Sequence, residues 1–311
     1  MTTRGPTDPV IERARTLIAS TGSDKRPVIK AFFDQVTKSV SYVAHDPATG
    51  TAAIIDSLLD FDPASGRTST RSAQMIVDHV REQGLRVDWI LETHVHADHL
   101  SAACWLQQRL GGGLGIGREI SAVQKAFGPL FDAGPDFVSD GSQFDRLFED
   151  GEPFAIGTID AMVLHLPGHT PACVGYVIGD ALFVGDTIFM PDFGTARADF
   201  PGGDAAQLYH SIQRLFALPP HSRLFLCHDY LTAGRSEHCW ETTIAAEIAD
   251  NVHVHRGVTE DMFVAMRSRR DAALPMPQLI LPSVQVNMRA GDLPPPAANG
   301  LRYLKIPLDA F

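Results

Sequence analysis

The chain has 311 residues, of which 44% are hydrophobic and 20% are charged, and its formal net charge at neutral pH is -11. This composition is typical of a globular protein with a sizeable core, and no apolar run approaches the ~20 residues that cross a bilayer. The acidic balance opposes sequence-independent binding to nucleic acid, which depends on Lys and Arg releasing counterions from phosphates. We therefore expect neither a membrane nor a nucleic acid as a partner, and an anionic substrate would need a local basic patch.

The N-terminus and the cysteines indicate the cellular compartment. Residues 1–20 contain three arginines together with Asp8 and Glu12, and they lack the apolar centre of a secretory signal. The four cysteines show no CxxC spacing, which is typical of buried thiols in a reducing compartment. These are Cys104, Cys173, Cys227 and Cys239. The sequence predicts a cytoplasmic protein.

The first predicted elements lead to a cluster of histidines. After an N-terminal extension (1–27), the sequence predicts three strands of an antiparallel meander, a helix and a buried strand, at 28–36, 41–44, 51–56, 72–83 and 87–91. The last strand runs into the segment THVHADH, which supplies four metal-competent side chains: His94, His96, Asp98 and His99. Imidazole and carboxylate groups without cysteine favour an open metal site over a closed structural zinc site.

The next part of the chain is predicted to be helical and then irregular. Apolar residues recur at helical spacing over 100–110, and three glycines end that helix. These glycines lack the Lys-Ser/Thr that follows in a phosphate-binding loop, so they indicate a helix stop. A second helix is predicted over 119–127. The irregular segment 128–143 is expected to form part of a substrate wall.

Three further strands end at candidate ligands. A strand over 159–166, preceded by one at 153–156, leads to His169; a hairpin of 174–178 and 181–184 leads to Asp186; and a strand over 223–227 leads to His228. Helices are predicted over 204–218, 237–249 and 259–266. Because strand ends on one edge of a sheet bring their loops together, seven side chains should gather there, enough for one metal or for two. They are His94, His96, Asp98, His99, His169, Asp186 and His228.

The order and spacing of these seven residues resemble the metallo-β-lactamase superfamily. The resemblance covers about residues 28–249 of this sequence. It implies an α/β fold, an αββα sandwich of the metallo-β-lactamase type, in which two packed sheets carry helices on their outer faces. We expect a catalytic domain over 28–250, with a C-terminal helix and a proline-rich tail (251–311) packed on its core.

Further motifs are similar to the glutathione-dependent persulfide dioxygenases, or sulfur dioxygenases, of the bacterial branch. These motifs are Gly185-Asp186, the segment 195–200 around Arg197, the run Cys227-His228-Asp229-Tyr230, and Pro275, Pro277, Pro282, Asn287 and Gly291 in the tail. Enzymes of that family oxidise glutathione persulfide with O2 to sulfite and glutathione at a mononuclear Fe(II) site.

Carried over to this sequence, the resemblance implies one Fe(II) per chain, held by the catalytic residues His94, His169 and Asp186. Four residues would then orient the ligands and tune the iron. They are His96, Asp98, His99 and His228. Arg197 and Tyr230 fall on positions that contact glutathione, and the planar fork of an arginine pairs well with a carboxylate. The resemblance also implies a homodimer, with any sulfurtransferase partner as a separate protein.

Other interpretations stay open from the sequence. The seven ligands could hold two metals, with Zn in place of Fe, in a glyoxalase II-like thioester hydrolase (hydroxyacylglutathione hydrolase). The tail pattern favours the dioxygenase, and no Arg/Lys-rich C-terminal helix of the hydrolase type is predicted. A non-catalytic sensor would need a regulatory module, and none is recognisable. An ordinary salt bridge is the alternative role for Arg197. Cys173 is expected to be a buried structural thiol, with a redox thiol as the alternative, whereas nothing accounts for Cys227.

Overall fold

The structure is a computed structural model, and it describes residues 8–310. Within this range the chain forms fifteen strands: β1 (Val28–Phe33), β2 (Val40–His45), β3 (Thr51–Ile55), β4 (Leu58–Asp62), β5 (Arg67–Ser69), β6 (Arg86–Leu91), β7 (Leu100–Ser101), β8 (Gly113–Gly117), β9 (Arg146–Phe148), β10 (Pro153–Ile156), β11 (Ile159–His165), β12 (Val174–Ile178), β13 (Ala181–Phe183), β14 (Arg223–Phe225) and β15 (Glu241–Thr243). The α-helices of the same range are α1 (Pro9–Ser20), α2 (Arg71–Glu82), α3 (Ala103–Leu110), α4 (Ile120–Leu130), α5 (Ala205–Phe216), α6 (Ile244–Asp250), α7 (Glu260–Asp271) and α8 (Ile280–Asn287).

Two six-stranded sheets form the centre of the molecule. The first has the order β1-β2-β3-β6-β8-β9, in which β1, β2 and β3 are the predicted antiparallel meander and the later strands run parallel. The second has the order β10-β11-β12-β13-β14-β15, and within it only β13 and β14 pair in parallel. A small sheet of β5, β4 and β7 lies beside them. The hairpin of β12 and β13 confirms the prediction for 174–184.

The two sheets pack face to face because their strands carry apolar side chains on both faces. Successive residues of a strand point alternately to the inner core between the sheets and to an outer core under the helices. On β2, Tyr42 and Ala44 face the inner core, where residues of the second sheet such as Tyr176 and Phe183 also lie. Val43, between them, belongs instead to an outer core with α2, α3, α4 and α8. Helices α1, α5, α6 and α7 cover the second sheet in the same way. The period of two along the strand thus produces four layers, and the predicted αββα sandwich is confirmed.

The C-terminal helices differ from their predictions. The helix predicted over 237–249 begins only at Ile244, because residues 241–243 pair with β14 as strand β15. The prediction was wrong for 237–243. Helix α7 continues past the predicted end at residue 266, since Arg267 is buried and paired with Asp271 one turn later. This helix carries three arginines in its second half: Arg267, Arg269 and Arg270.

The irregular segment over 128–143 does not form a substrate wall. It packs against α4 and the region after α8: Gln143 accepts a hydrogen bond from Gln124, and the guanidinium of Arg289 lies 4.5 Å from the ring centroid of Phe137. The substrate-wall prediction was wrong because helical and tail residues already occupy its apolar surface. Residues 128–143 are absent from the lining of the large cavity described below.

The N-terminal end of the described chain packs on the second sheet. Asp8 caps α1 by accepting a hydrogen bond from Val10 N at 2.9 Å, and α1 then buries Ile11 and Ile18 against the second sheet. The rest of the predicted extension, residues 1–7, lies outside the described residues. Among residues 8–310, none of the helices combines the length and the apolar character that a bilayer-spanning helix needs.

Gly168 lies where the loop after β11 approaches α5 closely. Its φ is +138°, and an added Cβ would lie 2.3 Å from the backbone nitrogen of Leu208. We expect Gly168→Ala to lower the free energy of unfolding by about 1–3 kcal/mol through overpacking, beyond about 1–2 kcal/mol for the backbone conformation alone. Gly84→Ala is the control, because Gly84 has φ +63° and open space around it. Urea denaturation measures the free energy of unfolding of both variants. An equal loss in Gly168→Ala and Gly84→Ala would contradict the close approach of Gly168 to Leu208.

Candidate metal centre

The candidate ligands lie where four strands end. His94 follows β6, His169 follows β11, Asp186 follows β13 and His228 follows β14. The loop after β6, in the first sheet, is joined to β12 of the second sheet, because Val174 N donates to Thr93 O at 2.9 Å. The structure therefore gathers side chains from both sheets at one edge of the sandwich.

His94, His169 and Asp186 form a compact group. One ligand atom from each lies within 4.8 Å of the other two. The Oδ2 atom of Asp186 is 3.8 Å from His94 Nε2 and 3.6 Å from His169 Nε2. All three residues are buried. Two imidazoles and one carboxylate on one side of a metal ion leave other coordination positions open, which suits non-haem Fe(II).

Hydrogen bonds turn both imidazoles toward this group. The Thr93 hydroxyl donates to Asp56 Oδ2 at 2.8 Å, so its oxygen accepts from His94 Nδ1, 3.0 Å away. His169 Nδ1 donates to the carbonyl of Arg197 at 2.8 Å. Each Nε2 thus keeps its lone pair, as a metal ligand requires.

The unpaired atoms at this position fit a metal ion. His94 Nε2 and Asp186 Oδ1 are buried, and neither has a hydrogen-bond partner among residues 8–310. Burial, followed by the neighbouring His96 and His169, holds the pKa of His94 well below its usual value, which favours the neutral imidazole that binds metals. Buried polar atoms without partners are costly, so this donor set is consistent with a bound cation.

His96 points toward two buried carboxylates. Its Nε2 is 3.1 Å from Asp56 Oδ1 and 3.4 Å from Glu92 Oε2. Burial alone would lower the pKa of His96, but Asp56 and Cys227 hold it well above its usual value. Burial also raises the pKa of Glu92. His96 therefore links residues 93–99, the histidine loop, to the buried carboxylates of Asp56 and Glu92.

Asp98, His99 and His228 stand beside the compact group. His228 Nε2 is 3.3 Å from Asp98 Oδ2 and 3.5 Å from Asp186 Oδ1. His99 Nδ1 lies 3.2 Å from the carbonyl of Leu100, and burial lowers its pKa to about 4. Across the described chain, three further groups have ligand atoms within 4.8 Å of one another: His96/His99/Cys227, Asp186/Cys227/His228 and Asp56/Glu92/His96. Asp98 belongs to none of them.

The two buried cysteines near the centre support its shape. Cys227 Sγ lies 3.8 Å from Asp56 Oδ2, and burial raises its pKa well above the usual value. Cys173 Sγ accepts from Thr170 N at 3.3 Å inside the turn that carries His169, and burial raises its pKa to about 12. Neither environment favours the reactive thiolate.

Several residues of the centre were missed by sequence reasoning. Asp56 and Glu92 also follow strands, β3 and β6, so the rule that located the ligands could have found them. Asn287 was noted only as part of the tail motif, without a role in the centre; it lies on α8, far away in sequence. Its Nδ2 donates to the carbonyls of His96 and His99, each at 2.8 Å, and its Oδ1 accepts from Ser101 N at 2.7 Å. No local pattern reveals such a contact.

A cavity of about 550 Å³ opens onto the centre. Its walls are largely apolar and include Phe189, Phe193, Phe200, Leu274 and Met276, while His169, Asp186 and Asp98 lie on its lining. An apolar cleft with a few polar groups is the usual form of a small-molecule site.

The two predicted substrate residues both line this cavity. Tyr230 stacks on Phe193, with ring centroids 4.8 Å apart, and on His228 at 5.4 Å. Arg197 is engaged within the protein: its Nε and Nη2 donate to the two carboxylate oxygens of Asp199 at 2.6 and 2.7 Å. Its Nη1 donates to the carbonyl of Pro275 at 2.7 Å. The salt-bridge alternative for Arg197 is thus the arrangement observed.

Residues 36–228 match the family model of the metallo-beta-lactamase superfamily. The chain belongs to the metallo-beta-lactamase superfamily. A probable metallo-hydrolase of Burkholderia pseudomallei is 56% identical over 293 residues, which cover 91% of this chain and 99% of that protein. Glyoxylase B2 of Dictyostelium discoideum is 45% identical over 283 residues, covering 90% and 97%.

Persulfide dioxygenases are more distant relatives within the superfamily. The mitochondrial persulfide dioxygenase ETHE1 of Homo sapiens is 30% identical over 292 residues, covering 93% of this chain and 98% of that protein. The crystal structure of ETHE1 from Myxococcus xanthus superposes with a TM-score of 0.68 at 28% identity, covering 85% of this chain and all of that one. Together with the buried histidine–aspartate cluster, these matches support a metal-dependent enzyme.

We expect Asn287→Ala to loosen the histidine loop. The change leaves two carbonyls and one N–H of the loop without their partner, and each unsatisfied buried group costs about 1–3 kcal/mol. Thermal unfolding should shift to lower temperature, and metal content per chain should fall. Gln285→Ala, two residues away on α8, is the control, because within residues 8–310 the Gln285 side chain hydrogen-bonds to Leu281 and Lys305 and not to the residues that Asn287 contacts. Normal metal content in Asn287→Ala would contradict the view that the hydrogen bonds of Asn287 hold His96 and His99 in place for metal binding.

Proposed function

We propose that this protein is a persulfide dioxygenase that oxidises glutathione persulfide with O2 to sulfite and glutathione. One Fe(II) per chain would be held by His94, His169 and Asp186. The observation that carries the proposal is their compact two-histidine, one-carboxylate group, in which hydrogen bonds fix both imidazole tautomers. Iron held there would supply the redox chemistry that activates O2 toward the persulfide sulfur.

The reaction balances without another reductant. The outer sulfur of the persulfide loses four electrons to O2, water supplies the third oxygen of sulfite, and the S–S bond breaks so that glutathione leaves as a thiol. The protein's own groups position the substrate and limit access of bulk water. The aromatic residues Phe189, Phe193 and Tyr230 form an apolar wall beside His228, where a hydrophobic cavity suits a sulfur chain better than a hydrated anion.

The remaining groups of the centre would act on the ligands rather than on the substrate. His96 is held by Asp56, and His99 by the carbonyl of Leu100. Such contacts around a metal site orient its ligands and tune its affinity. A homodimer and a separate sulfurtransferase stay predictions.

A binuclear thioester hydrolase of the glyoxalase II type is the second candidate. One observation favours it: Asp186 directs Oδ2 toward His94 and His169 and Oδ1 toward His228, as a carboxylate between two metals would. The likeness to Glyoxylase B2 and the arginines of α7 add support. Against it, Asp98 lies beside His228, but Asp98, His99 and His228 do not form one group whose ligand atoms all lie within 4.8 Å of one another within residues 8–310.

Oxygen consumption separates the two reactions. The iron-loaded protein should take up O2 with glutathione persulfide and release sulfite in equal amounts, whereas plain glutathione should give neither. His94→Ala, prepared in parallel, controls for uncatalysed oxidation, because it removes one of three ligands. Rapid hydrolysis of lactoylglutathione without oxygen uptake on persulfide would overturn the proposal in favour of the hydrolase.

Metal stoichiometry separates one metal from two. Wild-type protein and His228→Ala, purified from iron- and zinc-supplemented media, should each hold about one metal per chain, because His228 lies outside the compact group. Activity of His228→Ala should still fall by about 10–100-fold, as loss of a group that orients the ligands commonly causes. Two metals in the wild type, falling to one in His228→Ala, would contradict the mononuclear centre.

A further inference from the structure

Three arginines line the cavity beside the metal centre, and they differ in what they bind. Arg197 is paired with both oxygens of Asp199. Arg267 is buried; its Nε donates to Asp271 Oδ1 at 2.9 Å and its Nη1 to the carbonyl of Thr195 at 3.1 Å. Arg270 is exposed, and within residues 8–310 it forms no salt bridge with a carboxylate, in contrast to Arg197 and Arg267. Only Arg270 therefore offers its whole fork to a ligand.

The paired arginines hold the loop that supports His169. The carbonyl of Arg197 accepts from His169 Nδ1, while its side chain is tied to Asp199 and to the carbonyl of Pro275. The partner of Arg267, Asp271, accepts from Ala198 N at 3.0 Å through Oδ2. Arg267 and its partner Asp271 thus fix the loop backbone on either side of the carbonyl that orients His169, and the Arg197 side chain joins the same loop to Pro275. Moving Arg197 toward a substrate would break these contacts.

The charge of Arg270 is not neutralised by its surroundings. His253, below the same loop, has its pKa lowered to about 4, first by burial and then by Arg270 and Arg267. The ring accepts from Thr195 N at 3.0 Å through Nδ1, so it remains neutral and cannot compensate a cation. In a chain of net charge -11, a free arginine at the cavity is a local attraction for an anion.

The cavity joins this cation to the metal centre through an apolar wall. Leu274 and Met276 follow α7 and line the cavity, as do Phe193 and Phe200. His169 and Asp186 lie on the same lining. A matching ligand would place a sulfur atom at the metal centre, methylene groups along the apolar wall and a carboxylate at Arg270.

We propose that Arg270 binds a carboxylate of the thiol-derived substrate, and that Arg197 is a positioning residue for His169 instead of a substrate contact. The inference rests on the proposed function only in taking glutathione as the thiol. An arginine fork binds a carboxylate through two parallel hydrogen bonds, which gives both affinity and orientation. The assignment reverses the role expected of Arg197 from sequence.

Binding of glutathione to the metal-loaded full chain tests the inference without turnover. In isothermal titration calorimetry, Arg270→Gln should bind glutathione roughly tenfold more weakly than wild type, since a hydrogen bond to a charged group contributes about that factor or more. Arg269→Gln is the matched control, because Arg269 is an exposed arginine on the same helix outside the cavity lining. It should bind as wild type does. Arg270→Lys should recover part of the affinity as a point charge.

Two further measurements separate a carboxylate contact from a structural effect. Added salt should weaken glutathione binding in wild type more than in Arg270→Gln. Salt screens the attraction between the Arg270 guanidinium and the glutathione carboxylate, and the variant lacks that attraction. Glutathione with both carboxylates esterified should bind equally to the two proteins. Arg197→Gln should lose metal or kcat with little change in glutathione affinity.

Equal glutathione affinity in wild type and Arg270→Gln, or no binding to wild type, would overturn the inference. A large loss of affinity in Arg197→Gln with normal metal content would also overturn it. If Arg270-dependent binding is found but persulfide is not oxidised, the dioxygenase proposal fails while the assignment of Arg270 stands. The two failures are therefore distinguishable.

Discussion

The metal centre depends on one buried carboxylate, Asp56. This residue follows β3 with φ +50°, a backbone conformation that costs a non-glycine residue free energy. Its oxygens accept from Thr93 N at 2.7 Å and from the Thr93 hydroxyl at 2.8 Å, and they lie close to His96 Nε2. A buried charge is tolerated only when it is paired in this way. The strained conformation is offset by contacts that begin the histidine loop and fix the tautomer of His94.

The centre also depends on the packing between the two sheets. His94 comes from the first sheet, whereas His169 and Asp186 come from the second. Tyr176 crosses the seam and donates to the carbonyl of Glu92 at 2.9 Å, and Tyr42 crosses it in the other direction to the carbonyl of Leu226 at 2.5 Å. Ligand spacing is therefore set by a tightly packed interior, which deforms little. The packing between the sheets therefore keeps His94 at a fixed position relative to His169 and Asp186.

Much of this arrangement could be predicted from sequence because it follows from strand ends. The rule located His94, His169, Asp186 and His228, and alternating apolar residues indicated most strands of the meander. Strand β8, with the sequence GLGIG, was missed because glycine has low strand propensity; here Phe148 and Leu91 pack where a Cβ of Gly115 would lie. The pairing of Arg197 with Asp199 and the end of α7 depend on tertiary contacts. Spacing along the chain carries no information about such partners.

The hydrogen bonds of Asn287 have a consequence for the order of events during synthesis. They join α8 to carbonyls 188 and 191 residues earlier in the chain. A ribosome releases the histidine loop long before it releases α8, so the nascent chain holds most candidate ligands on a loop that is not yet closed. Contacts of such long sequence separation form late and slow the final folding step. We expect a mature metal centre only after α8 has emerged from the ribosome, so that the supply of the correct ion at that moment governs which metal is captured.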